Sequence, residues 1–188
     1  MKSGAPGRVE CGQMHPTRLV LPVASAISGR HTFGMEGEPN RWSDSQAVLA
    51  IVNEYFRSLD DRELDAEHLR RIFGDDGRIV RPDDTTTIGP EEIGRTHTRN
   101  FSRFEATQHL VTGHTITIDE DRAQFRANLV AIHIWKDRPK GNLDDRAFTA
   151  GGVVTAALDR TSDGWRISTL HLRVVWRTGH FGDMRPSH

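Results

Sequence analysis

The chain has little cysteine, little tyrosine, no long apolar run and almost no net charge. Its 188 residues hold one cysteine, Cys11, and one tyrosine, Tyr55. A single cysteine excludes an intrachain disulfide and a cysteine-based metal cluster, and its place near the N-terminus takes a thiol nucleophile out of the folded part. A reducing, cytoplasmic compartment is the expectation. No stretch approaches the roughly 18 consecutive apolar residues of a membrane-spanning helix, so no membrane partner is expected. Lys and Arg number 25 against 26 Asp and Glu, a net charge of −1, which leaves no overall field to draw nucleic acid.

What is present reads as one domain behind an arm. Residues 1–42 scatter Gly, Pro, Ser and Met without a sustained period of 2 or 3.6, the pattern of a flexible N-terminal arm. The segment from Leu19 to Ile27 resembles a short signal core, but Pro22 and its distance from the N-terminus argue against export. Met14 and Met35 leave open a start further along. Order is expected over 43–180, with 181–188 as a tail.

Ser43 and Gln46 have the spacing of a capping box, and Ala47, Val48, Ile51, Tyr55 and Leu59 then recur every three or four residues on one helical face. Asp60 to Glu63 ends that helix. A shorter helix is predicted from Asp65 to Phe73 with Gly74 as its stop, then a strand over Gly77–Val80. Pro90 with Glu91 and Glu92 opens a third helix that reaches Phe101 or Phe104. Four long strands follow, near 106–118, 122–136, 146–159 and 165–177. Helices first and strands last give an α+β chain, and strands of this length suit a strongly curved sheet wrapped round the helices.

Alternation along those strands decides which residues share a cavity. His133 shares a face with Phe125, Ala127, Leu129, Ala131 and Trp135, while His109 is on the preceding strand. Leu170, Leu172, Val174 and Trp176 share a face of the last strand. Histidine titrates nearest neutral pH, so two histidines and Asp60 around one apolar cavity form an acid–base set. Tyr55, Leu129, Trp135, Leu170, Leu172 and Val174 are expected to contact substrate. Each also has a structural reading: Asp60 as a helix terminator, the histidines and Tyr55 as satisfied core residues.

Five segments in order, Leu59 to Asp65, Phe73 to Gly77, Gly89 to Ile93, Thr107 to His109 and Asp163 to Ile167, resemble the SnoaL-like branch of the nuclear transport factor 2-like superfamily. The resemblance covers about residues 44–180. It implies a cone-shaped α+β barrel, a bent antiparallel sheet around three helices with a deep pocket between them. Within that superfamily the enzymatic likeness is to scytalone dehydratase, whose aspartate and two histidines match Asp60, His109 and His133. Leu59, Gly152 and Val154 stand where that enzyme has a tyrosine, a serine and an asparagine. The resemblance implies a dehydratase-like lyase acting without cofactor or metal on a small, hydrophobic, cyclic or polyketide-like molecule. Two alternatives remain: an isomerase or cyclase using Asp60 as base, and a non-catalytic binding or assembly module like the small subunits of ring-hydroxylating dioxygenases. Apolar residues on both faces of the last strand suggest a homodimer or homotrimer.

Overall fold

The structure, a computed structural model, describes residues 41–137 and 142–180. The expected arm up to residue 40 and the tail from 181 lie outside the described residues. Helix α1 (Arg41–Asp61) and the short α2 (Ala66–Arg70) precede β1 (Phe73–Val80) and β2 (Thr86–Ile88). Helix α3 (Pro90–Phe101) then leads into β3 (Phe104–Asp119) and β4 (Arg122–Trp135). A single turn, α4 (Leu143–Arg146), comes before β5 (Ala147–Thr161) and β6 (Gly164–Gly179). The six strands form one sheet in the order β2-β1-β6-β5-β4-β3.

This is the curved, unclosed sheet of an α+β cone, with its helices packed on the concave side. One pairing departs from the antiparallel expectation, because β1 runs parallel to β6. The parallel pairing also shortens α2. Phe73, expected to end that helix, pairs with Ile167, and Gly74 to Gly77 bulge out before the ladder resumes at Arg78 and Thr169. A side chain at Gly77 would meet the Gly74 and Ile167 carbonyls at 2.8 Å, so the bulge needs glycine there. Asp65 caps α2 by accepting from the His68 N–H at 2.8 Å. Helix α1 already runs from Arg41, which places Ser43 inside it rather than at its cap.

The core gathers the inward stripe of α1 (Val48, Val52, Tyr55, Phe56, Leu59) against Phe125, Ala127, Val154, Ala156, Leu158 and Ile167 on the sheet. Each such large apolar side chain contributes roughly 1.5–3 kcal/mol on burial. Asp44, in the first turn of α1, fastens the helix to the β5–β6 hairpin. Its two carboxylate oxygens accept from Arg160, each at 2.8 Å, and one also accepts from the Trp165 indole at 3.2 Å. The Arg160 guanidinium lies 4.4 Å from the Trp165 ring centre, so the Asp163-Gly164-Trp165 turn is an anchor.

Candidate active site

Helix α1 ends beside β3, where Asp60 meets Thr107 and His109. Asp60 Oδ1 lies 2.7 Å from His109 Nδ1, and Oδ2 accepts from the His109 backbone N–H at 2.9 Å. The Thr107 hydroxyl donates to Oδ1 at 2.9 Å. Arg62 follows the helix with φ of 63°, and its guanidinium donates to Thr107 Oγ1 at 2.8 Å and to the Leu59 carbonyl. Burial pushes the Asp60 carboxyl up, but the hydrogen bonds from the His109 ring and backbone, the field of that ring and the Thr107 hydroxyl outweigh it. The carboxyl lies below its ordinary value.

An ionised carboxylate at Nδ1 requires a proton on that nitrogen. Neutral His109 therefore keeps its lone pair on Nε2, and the ring lines a cavity of about 260 Å³. His133 is diagonal to His109 across the β3–β4 ladder, where Thr107 pairs with His133 and His109 with Ala131. The two rings are 5.6 Å apart and nearly perpendicular. His133 stacks on Phe148 at 4.2 Å, and its Nδ1 is buried without a hydrogen-bond partner. Burial, reinforced by the His109 charge, pushes the His133 pKa down to about 3, so this ring is neutral at pH 7.

The structure thus brings Asp60, His109 and His133 together. Tyr55, Leu129, Leu172 and Val174 line the same cavity. Leu170 and Trp135, also expected there, do not. Leu170 is fully buried in the main core beside Ala156, because the concave face of β6 passes from packed core to open cavity along its length. Trp135 sits beyond the cavity in a cluster with Phe104 and Phe148, and its indole donates to the His180 carbonyl at 2.7 Å. Val154, matched to a family asparagine, is fully buried core, whereas Gly152 lies on the cavity wall.

Among the lining residues not foreseen from the sequence are His97, Arg81 and Arg177. His97 on α3 lies 3.0 Å from the Tyr55 hydroxyl through Nε2, and burial together with the charges of Arg81 and His109 brings its pKa to about 3. The spacing of four that links Ile93, His97 and Phe101 along α3 is the signal that would have found it. Arg81 follows Ile79 with strand parity at the end of β1, which turns it inward. Arg177 was hidden by a bulge. Gly152 pairs with Val174 but Gly151 with Trp176, so one extra residue reverses the faces. Trp176 swings to the outer surface and Arg177 to the cavity.

A second acidic cluster lies on the surface. Glu54, Glu63 and His68 place ligand-type atoms within 4.8 Å of one another, but Arg57 donates to both glutamates and occupies the oxygens a cation would need.

A model of the SnoaL-like domain matches residues 40–171. The chain belongs to the SnoaL-like domain family. Three solved structures resemble this SnoaL-like domain. The Kfla4162 protein of Kribbella flavida has 25% identity and a TM-score of 0.66, over 73% of this chain and 95% of that one. A protein of Novosphingobium aromaticivorans DSM 12444, described provisionally as a scytalone dehydratase, has 19% identity and a TM-score of 0.65, over 78% and 93%. The hexachlorocyclohexane dehydrochlorinase LinA-type3 of Novosphingobium barchaimii LL02 has 18% identity and a TM-score of 0.63, over 76% and 93%. The fold extends to NTF2-like superfamily proteins. A search of curated proteins finds no match. Among the described residues, no helix of this SnoaL-like domain is long and apolar enough to cross a membrane.

Proposed function

We propose that this protein is a cofactor-independent lyase that removes water from a small hydrophobic cyclic molecule by proton transfer through Asp60 and His109. The observation that carries this reading is the 2.7 Å contact of Asp60 with His109 Nδ1 at the wall of an apolar cavity. His109 Nε2 takes a proton from the carbon next to a substrate carbonyl. The C–H electron pair becomes the new double bond as the C–O bond on the next carbon breaks. The proton held on Nε2 passes to the departing hydroxyl, which leaves as water, and His109 returns to its starting state. Asp60 holds the tautomer and stabilises the transient imidazolium, a role that positioned acid–base groups fill for about 10² to 10⁴ in rate. His133, neutral at pH 7, serves as a hydrogen-bonding group beside the reacting atoms rather than as a proton-loaded acid.

The names of two structural neighbours, a dehydratase and a dehydrochlorinase, are those of eliminations, which agrees with this chemistry. Asp60 as the direct base fits less well, since its oxygens already accept three hydrogen bonds and its carboxyl is held below the ordinary value. A non-catalytic assembly module fits less well with an open cavity that three histidines line. The proposal extends to a homodimer or homotrimer built on the outer face of β6, where Val175 and Trp176 are exposed. The experiment is a panel of cyclic ketones in D₂O. NMR reads deuterium uptake next to the carbonyl, and ultraviolet absorbance reads enone formation from the β-hydroxy members. Catalysis by the wild type that His109→Gln lacks supports the reading, and equal rates in both proteins refute it.

A further inference from the structure

We propose that the cavity takes an anionic substrate, a small cyclic molecule bearing a carboxylate, and that Arg81 is the residue that seats the carboxylate. The inference concerns the substrate class of the same cavity but does not depend on the elimination chemistry. Among the described residues four arginines line the cavity, Arg81, Arg103, Arg173 and Arg177, and no Asp or Glu does. None of the four forms an ion pair with a carboxylate among the described residues. The remaining wall is largely apolar and aromatic, with Phe56, Phe101, Phe104 and Phe148. Such a lining suits an apolar ring that carries one negative group.

Arg81 differs from the other three in how it is held. Its Nη1 donates to the Thr87 hydroxyl at 2.7 Å, which fixes the plane of the guanidinium, while its Nη2 is buried with no hydrogen-bond partner. A buried donor without an acceptor costs free energy in the empty protein, and a ligand oxygen placed there recovers it. The guanidinium edge matches the two oxygens of a carboxylate better than it matches a neutral amide. Arg103, by contrast, spends its Nε on the Asn100 carbonyl and lies over Phe104 and Trp135, and Arg173 and Arg177 are exposed at the rim.

The test titrates benzoate and 1-naphthoate, each against its neutral amide, into the full chain by calorimetry or ligand-observed NMR. The wild type is expected to bind the acids at least about tenfold more tightly than the amides. Arg81→Gln should erase most of that preference, Arg81→Lys should restore part of it, and Arg177→Gln should leave it nearly intact. His109→Gln should also keep it, so a failed elimination mechanism and a failed anion site give different results. Equal affinity of wild type for acid and amide, or no saturable binding of either acid, overturns the proposal even if Arg81→Gln does not fold. Retention of the preference in folded Arg81→Gln, or its loss in Arg177→Gln, overturns the assignment to Arg81.

Discussion

Helix α1 carries a buried or half-buried aspartate at each end, and the two are put to different use. Asp44 in the first turn sits where the helix dipole favours an anion, and Arg160 and Trp165 take up its oxygens. Neither partner of Asp44 titrates near neutral pH, so that end can only hold. Asp60 sits in the last turn, where the dipole disfavours an anion, and the hydrogen bonds of His109 and Thr107 offset the cost. Its partner is an imidazole, which has a second nitrogen able to take or give a proton, and that ring lines the cavity. A carboxylate becomes part of a reactive unit through the partner it orients, and through what lies beyond that partner.

Substitutions at the two ends of α1 should have opposite consequences. His109→Gln removes the base and is expected to lower turnover by at least about 10³-fold, read as enone formation, with thermal stability nearly unchanged. Asp60→Asn keeps the base but releases its tautomer, and a loss of about 10²-fold in kcat with little change in KM is expected. Asp44→Ala should do the opposite. It strips the half-exposed Arg160 of two hydrogen bonds, leaving it Asp121, and leaves the Trp165 N–H without its acceptor; the expected cost is about 3 kcal/mol in urea unfolding, while kcat per folded molecule stays at the wild-type level.

The smallest effect is on pH. His97 and His133 are held neutral by burial with pKa values near 3, against an ordinary 6.5. Below about pH 6.5 the unfolded chain takes up protons that the folded chain refuses, so stability is full above that pH and falls as pH drops toward 3. At about pH 5 the loss is about 2 kcal/mol for each histidine. Melting curves across that window should flatten in His97→Gln and His133→Gln, and an unchanged slope in both would show that these rings are not buried as described.

Much of this contrast was legible in residue order. The four long strands follow from alternation, and the face shared by His133, Ala131 and Leu129 is the face that reaches the cavity. The apolar stripe of α1 points Tyr55 and Leu59 into the same space. What alternation could not carry was anything past an irregularity. The extra residue between Val174 and Trp176 exchanged the sides of Trp176 and Arg177, and the Gly74 to Gly77 bulge concealed that β1 begins at Phe73. The parallel β1–β6 pair is invisible to periodicity, because it depends on which distant strand β1 lies beside. His97 and Arg81 lay in segments read for helix ends and loops, so their inward direction went unweighed. Asp44 was hidden by its neighbours, since Ser43 and Gln46 offered a cap while the aspartate between them bonds Arg160, far along the sequence on β5.

Elimination through Asp60 and His109 depends on where one imidazole carries its proton. Nitrogen-15 NMR of the histidine side chains at about pH 7.5 reads the tautomer of His109 directly and needs no substrate. The predicted result is a protonated Nδ1 facing Asp60 with a bare Nε2 that shifts when a cavity ligand is added. A proton on Nε2 with Nδ1 bare would contradict the account, because Asp60 would then not be orienting the base.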